Sequence, residues 1–566
     1  MSNGRSTTAT DRSPTWWFSF ALAAAVGCAS DYIVPDGAGP ADATAHDAGA
    51  SDAFVTDLAP RFDTTSVDTG RFDLAVDAES GADTSMDAPG GDVMVPDAGP
   101  GAPDVKADPT DPPLDPPKLA TRRLTTRGGM LIDELGRAVI LRGVNVGGRS
   151  KMPPFLPFDI ADPSEIPSKA DRLMALVRAL GANAVRLTFS WEALETVRGT
   201  FDAEYLRRYR LLLDAAHKAD LHVIVDFHQD VFHAAFCGDG FPEWALGDIT
   251  HGPPHYDCAF PFWAFPYFDP QSPVSQAFDR LWSNQDGLLD AFEAMWRHVA
   301  REVGRHPAVA AFEIINEPGA GSTPLETAGA TILPPLYDRI AAVIEAEAGA
   351  AAIIGDEPVS STADVHYLAR PSHPRFVYGP HYYDGATMFD IGPLDPGRIR
   401  TAVSAVLDRA GAWNAPTIVG EFGAPNTVTF KTGYLAAIFD ALDAGSASAL
   451  MWDVSLSNQR WNGEDFGPLL ADGSELLWAG ILDRPAPRAI DGSITSFTWD
   501  TLFRQFNLAV SDAGEGISEI YLPVRHLGMN PDVALTGARF RWLPAAGQLL
   551  VAAPRGASWS LIVKPR

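Results

Sequence analysis

Cysteine is scarce: Cys28, Cys237 and Cys258 are all that a chain of 566 residues contains. That number excludes a disulfide-built scaffold and a zinc site made of several thiolates. Basic residues are also few, 43 Lys and Arg against 72 Asp and Glu, for a net charge of −29. Such an acidic chain does not suit nucleic acid as a partner. The sequence has no HExxH motif, no paired Cys/His spacing and no Gly-rich phosphate loop. Neither a metal nor a cofactor is therefore expected. The apolar run at residues 16–27 is about a dozen residues long, too short to span a bilayer.

That short run has the form of a targeting segment. Arg5 and Arg12 precede it, and Ala25, Val26 and Gly27 close it just before Cys28. Small residues ahead of a cysteine resemble a bacterial lipoprotein cleavage site. The expectation for residues 1–28 is a signal peptide with a lipobox-like site, Cys28 being the lipidated residue. Plain secretion with an incidental cysteine is the alternative. Acyl chains on Cys28 would anchor an exported protein at the cell envelope without a transmembrane helix. Residues 29–118 are rich in Ala, Asp, Gly and Pro, with Asp52, Asp57, Asp63, Asp68 and Asp73 at near-regular spacing. From 31 to 118 there are 19 acidic and 4 basic residues, a net −15 and about half of the total. No apolar periodicity survives, so a disordered acidic tether is expected.

From residue 119 the texture changes. Eight apolar runs follow, at 139–146, 184–190, 222–228, 309–317, 351–357, 375–383, 416–423 and 447–454. Segments 169–180, 203–219, 285–304, 336–348, 396–412 and 430–444 have helical spacing. Strands alternating with helices predict an α/β fold, a (β/α)8 TIM barrel over 119–485. A short strand pair around 124–131 turns at Gly128-Gly129. After residue 485 the helical pattern stops, and short runs separated by Gly, Pro and Asp predict an antiparallel β-sandwich over 486–566. Cys237 and Cys258 fall in one long connection, 229–284, and are a disulfide candidate in an oxidising compartment.

In such barrels the reactive groups lie at the C-terminal ends of strands. Those ends carry Asn145, Arg186, His228, Glu317, His381, Tyr383, Glu421 and Trp452. Two glutamates over one mouth suit cleavage of a glycosidic bond, one as acid and one as nucleophile or base. Arg186 is placed to pair with Glu421 and hold it ionised. Glu317 then needs a raised pKa, from burial and from the charge of Glu421. Asn316 has an amide for a sugar 2-hydroxyl, Tyr383 a hydroxyl for Glu421, and His381 a ring to fix a neighbour. Trp452 has a flat face for a sugar ring.

These motifs resemble glycoside hydrolase family 5: NEP at 316–318, GEFG at 420–423, Arg186, and HYY at 381–383. The resemblance implies Glu317 as acid/base, Glu421 as nucleophile, and retention of configuration through carboxyls about 5–5.5 Å apart. The stretch DFHQDVFHAAFCGDGFPEWA, 226–245, is similar to endoglycoceramidases and related glycosylceramidases of that family. It implies that Lys151 and Asp230 bind the sugar at the scissile bond, with His228 lining the same place. It also implies a glycan or glycolipid substrate. The aromatic stretch 259–268 either forms an apolar lip for the lipid or packs down onto the barrel. At NEPGAG the sequence departs from the family, with Gly319 where an aromatic residue is expected. Two further readings stay open: a family 5 enzyme for a steryl glucoside, glucosylceramide or soluble β-glucan, and a surface lipoprotein that binds carbohydrate without cleaving it. A monomer is expected.

Overall fold

A computed structural model describes residues 114–359 and 365–566. The targeting segment, Cys28 and the tether up to residue 113 lie outside the described residues.

Eight parallel strands form the barrel: β1 (Arg142–Val146), β2 (Ala184–Phe189), β3 (His222–Phe227), β4 (Val309–Glu313), β5 (Ala352–Asp356), β6 (Phe376–Gly379, continued by His381–Tyr382), β7 (Ile418–Val419, continued by Glu421–Phe422) and β8 (Ser448–Met451). Pairing runs in order from β1 to β6, and β7 pairs β8, which pairs β1. The ring closes where Tyr378 bridges Thr417 and where His381 and Tyr382 pair with Glu421 and Phe422. Helices α1 (Ile166–Ala179), α2 (Ala203–Lys218), α3 (Leu288–Val303), α4 (Leu333–Ala348), α5 (Pro396–Trp413) and α6 (Lys431–Ala444) fall within a few residues of the predicted segments. Their starts have local causes. The Asp202 carboxylate accepts from the N–H groups of Glu204 and Tyr205, and Asp395 caps α5 ahead of Pro396.

Strand alternation explains the interior. Along β2, Val185, Leu187 and Phe189 face the helices, while Ala184 and Arg186 face inward. The lower interior is apolar, built from Ala184, Ile224, Ala311, Ile354, Val377 and Leu450. One layer up, the inward positions carry Arg186, Asp226, Glu313, Asp356 and His381, all buried. The barrel is therefore greasy below and ionic above.

The structure corrects the first predicted strand. The run 139–146 splits into Ala138–Val139, which joins a different sheet, and β1. The hairpin Thr125–Arg127 and Met130–Ile132 turns at Gly128-Gly129 as expected, but it belongs to that other sheet too. Its lead-in closes the bottom of the barrel. The Leu124 N–H donates to the Ala310 carbonyl (3.0 Å), and the Ala352 N–H donates to the Leu124 carbonyl (2.8 Å). Leu114, at the end of the predicted tether, is buried.

The C-terminal part is a two-sheet antiparallel sandwich. One seven-stranded sheet combines Thr125–Arg127, Met130–Ile132 and Ala138–Val139 with Ala486–Ile490, Ser518–Tyr521, Gln548–Ala552 and Arg539–Leu543. The other holds Ser493–Asp500, Gln505–Ser511, Trp559–Lys564 and Asp532–Thr536. Strict in–out alternation along Trp559–Lys564 buries Trp559, Leu561 and Val563 in the core between the sheets. The connection 229–284 is not loop throughout. Pro273–Trp282 is a helix capped by the Ser272 hydroxyl.

Candidate active site

The ionic layer is organised by Arg186, which has no solvent exposure. Its guanidinium donates to both Glu313 oxygens (2.8 and 2.8 Å), to Glu421 Oε1 (2.7 Å), Asp226 (3.0 Å), Asn145 (2.9 Å) and Asn316 Oδ1 (2.7 Å). The expected pair with Glu421 is present. The two-pronged partner, however, is Glu313, a carboxyl that motif reading passes over because it sits inside an apolar run.

Glu421 accepts at its other oxygen from the Tyr383 hydroxyl (2.9 Å). Burial works against its charge, but His381, Arg186, His228 and Lys151 outweigh burial and hold its pKa below the usual carboxylate value. Glu317 has the opposite balance. Burial pushes its pKa up, His381 pulls it down, and the charge of Glu421 pushes it up again. His381 lies between the two: Nδ1 is 2.8 Å from Glu317 Oε1 and 3.7 Å from Glu421 Oε2. Oxygens of the two glutamates and the ring nitrogen all lie within 4.8 Å of one another. That separation fits a retaining pair and is too short for the inverting arrangement.

Backbone geometry aims Glu317. It is a non-glycine residue at φ +35°, a strained conformation that the surroundings must hold. Gln229 supplies part of the hold, its amide donating to the carbonyls of Asn316 (2.6 Å) and Glu317 (3.0 Å). The Asn316 amide donates to the Gln229 carbonyl (3.1 Å), leaving one amide hydrogen for a ligand.

The residues expected at the sugar form a second knot. Lys151 Nζ donates to Asp230 Oδ2 (2.5 Å) and lies 3.7 Å from Glu464. Its ammonium sits over Trp461 (3.9 Å) and Trp452 (4.3 Å). Burial disfavours that charge, yet Asp230 and Glu464 raise the Lys151 pKa. His228 bonds Asp226 (2.8 Å), faces Asp230 (3.4 Å) and stacks on Trp452 at 5.2 Å. Against burial, Asp226 and then Asp230 raise the His228 pKa to about 10. Trp452 is buried, with the His228 ring stacked beside it and the Lys151 ammonium over it. Trp461 and Glu464, both from the connection after β8, have no signal in the sequence that separates them from ordinary loop residues. Burial raises the Glu464 pKa to about 8, with Lys151 opposing it.

Cys237 and Cys258 are joined as a disulfide. Asn462 ties this loop to the wall: its amide donates to the Cys237 carbonyl (2.6 Å), and its side-chain oxygen accepts from the Cys258 N–H (3.0 Å). The aromatic stretch 259–268 divides. Tyr267 turns inward and bonds Gln229, and Trp263 packs on Trp461, while Phe262, Phe265 and Phe268 stay exposed. The departure at Gly319 has a steric account. A Cβ there would lie 2.5 Å from the Phe278 ring, which comes from the helix Pro273–Trp282.

Comparison with known proteins agrees with this geometry. Endoglycoceramidase I of Rhodococcus hoagii is 36% identical over 206 residues, 36% of this chain and 39% of that protein. Endoglycoceramidase of the jellyfish Cyanea nozakii is 31% identical over 213 residues, 34% of this chain and 40% of that protein. The chain thus spans about 40% of the length of these curated relatives. Among solved structures, endo-glycoceramidase II from Rhodococcus sp. in complex with ganglioside GM3 superposes with a TM-score of 0.66 at 25% identity, covering 78% of this chain and 100% of that one. The same protein as a lactosyl-enzyme intermediate gives a TM-score of 0.63 at 26% identity, covering 77% and 99%. The description "Glycoside hydrolase family 5 C-terminal domain" matches residues 484–559. The description "Cellulase (glycosyl hydrolase family 5)" matches residues 147–458, more than half of the chain, and the protein belongs to that family.

Proposed function

We propose that the chain is a retaining β-glycosidase that cleaves the bond between a glycan and a lipid aglycone of the glycosphingolipid type. The observation that carries this reading is the pair Glu317 and Glu421, within one short gap and with pKa values pushed in opposite directions. Glu421, ionised, attacks the anomeric carbon. Glu317 gives its proton to the glycosidic oxygen as the carbon–oxygen bond breaks. A glycosyl ester of Glu421 results. Glu317, now a carboxylate, takes a proton from water, which attacks the same carbon and frees Glu421. Tyr383 and Arg186 fix the two oxygens of the nucleophile. The remaining amide hydrogen of Asn316 is available to the 2-hydroxyl. Asp230, Lys151 and His228 supply the charged acceptors and donors that sugar hydroxyls need.

The lipid part of the reading rests on two supports. The relatives are endoglycoceramidases by name, one of them solved with a ganglioside. The connection after β3 also turns Phe262, Phe265 and Phe268 to solvent while Trp263 and Tyr267 face inward, an amphipathic wall. Exposed aromatic rings suit an aglycone with acyl chains better than a soluble β-glucan. Among the described residues no helix is long and apolar enough to cross a membrane. Reach to a lipid substrate is supported instead by the proposed acyl anchor on Cys28.

The purified protein is to be incubated separately with a ganglioside, glucosylceramide and a soluble β-glucan. Release of an intact oligosaccharide and ceramide from the ganglioside is expected, and none from Glu421→Ala. Activity confined to the β-glucan would overturn the glycan–lipid assignment, and activity confined to glucosylceramide would overturn the release of an intact oligosaccharide. Normal turnover by Glu421→Ala would overturn the nucleophile.

A further inference from the structure

His381 touches Glu317 with Nδ1; its other nitrogen points down into the barrel toward Asp356. Asp356 is the last residue of β5 and has no solvent exposure. Its Oδ2 accepts the Glu317 backbone N–H (2.8 Å) and lies 3.4 Å from His381 Nε2. Its Oδ1 accepts the Glu357 N–H (2.7 Å). One buried side chain thus meets both the backbone of the acid/base residue and the ring bonded to its carboxyl.

We propose that Asp356 is a positioning residue for Glu317, holding its strained backbone through one oxygen that also faces the His381 ring from behind. The inference rests on the assignment of Glu317 as acid/base. Two physical consequences follow. First, Glu317 sits at φ +35°, which costs about 1–3 kcal/mol unless the surroundings impose it. A charge-assisted bond to its N–H is a direct way to impose it. Second, with Nε2 facing Asp356 the ring is oriented so that Nδ1 is what Glu317 meets.

The groups facing His381 are Glu313 from β4 (4.0 Å), Glu317 beyond β4, Asp356 from β5 and Glu421 from β7. Arg186 neutralises Glu313 and Glu421 from β2. Asp356 and Glu317 therefore remain the carboxyls with no arginine among these contacts. Burial alone would keep the imidazole neutral; Asp356 foremost, then Glu421 and Glu317, raise its pKa to about 10. The resulting cation restrains the rise of Glu317. Burial, with the charges of Glu313 and Glu317, pushes Asp356 itself up, and His381 and the Glu317 N–H pull it back.

The test is Asp356→Asn in the full chain, with two readouts. His381 is titrated by NMR of histidine-labelled protein, which needs no substrate. Its pKa should fall by about 1–3 units, the usual effect of a nearby opposite charge. Activity is then measured against pH on 4-nitrophenyl and 2,4-dinitrophenyl β-lactosides. The alkaline limb should move up in pH, because Glu317 loses the cation that restrained it. Turnover of the poorer leaving group should fall about 10²-fold, the low end of what a general acid supplies, with a smaller loss on the better one. Tyr337→Phe is the structural control, since that hydroxyl donates only to the Asp356 backbone carbonyl (2.6 Å); it should lower stability and move neither readout. If Asp356→Asn fails to fold, Asp356→Ser takes its place with the same expected shifts. An unmoved His381 pKa, or equal losses on both leaving groups with an unmoved alkaline limb, overturns the proposal. A lactoside that the wild type leaves intact, with His381 shifted as expected, counts against the functional reading and not against the role of Asp356.

Discussion

Replacing Arg186 by Met keeps the volume and removes the one cation that three buried carboxyls share. Asp226 keeps His228 at 2.8 Å, and Glu421 keeps His381 at 3.7 Å and the Tyr383 hydroxyl. Glu313 loses both of its bonds and retains only His381, 4.0 Å away. Breaking a buried pair from one side costs about 3–5 kcal/mol. For a folded part of roughly 450 residues, unfolding entropy near 2 cal/mol/K per residue converts this to a fall in Tm of about 3–5 °C at neutral pH. The loss should depend on pH with a definite sign. In the wild type the Glu421 pKa is held below its unfolded value, so its contribution is present above that value and is lost as pH falls through the folded pKa. In the variant the Glu313 pKa, already raised by burial, rises further without Arg186, and that rise penalises the fold wherever the group is ionised when unfolded. The Tm gap should therefore be wide at pH 7.5 and shrink toward pH 5. Adding Glu313→Gln to the variant removes the stranded charge and should restore part of the loss. Melting curves at the two pH values, with circular dichroism as the probe, decide the matter. A gap that is the same at both, or a double variant less stable than Arg186→Met alone, would refute this account of the ionic layer.

Two other outcomes bear on the proposed chemistry. Glu317→Gln should lose about 10²–10⁴-fold on natural glycosides, with the alkaline limb of the profile abolished, and should lose far less in the glycosylation step with a dinitrophenyl leaving group; equal losses on both would speak against Glu317 as the acid. Cys28→Ala should release the full chain from the membrane fraction, as fractionation and immunoblotting would show, and unchanged membrane association would end the anchor proposal.

The barrel was legible because its strands are buried on both faces and its helices on one, so the periods alternate plainly along 139–454. Glu317 and Glu421 were legible because a carboxyl ending an apolar strand is conspicuous. Glu313 ends β4 and Asp356 ends β5, yet the first lies inside the apolar run 309–317 and the second reads as an ordinary cap. What makes them functional candidates is registration across strands: β4 beside β5, and His381 of β6 beside Glu421 of β7. A linear reading does not supply that. The same limit hid the pairing of Ala138–Val139 with Ala486–Ile490, more than 300 residues apart. It also hid Phe278, whose ring fills the space over Gly319 from a helix inside what reads as a loop.

The layer as a whole explains why one acid keeps its proton. Around the mouth are seven carboxyls, Asp226, Asp230, Glu313, Glu317, Asp356, Glu421 and Glu464, and four cations, Lys151, Arg186, His228 and His381. Seven negative charges against four positive ones cannot all persist in a buried space. Protons must stay on the carboxyls least well served. Asp230 and Glu421, each close to more than one cation, are held low. Glu313, Glu317, Asp356 and Glu464 are pushed up by burial first. Of these four, Glu317 has an oxygen within 4.8 Å of an oxygen of the ionised Glu421, where a sugar's anomeric carbon would come. Proton donor and nucleophile are thus set by an imbalance of charge over the whole layer rather than by either glutamate alone. On this argument a neutral substitution at Glu464 or Glu313 should leave Glu317 an acid, whereas loss of a cation at Lys151 or Arg186 should blur the distinction between the two glutamates.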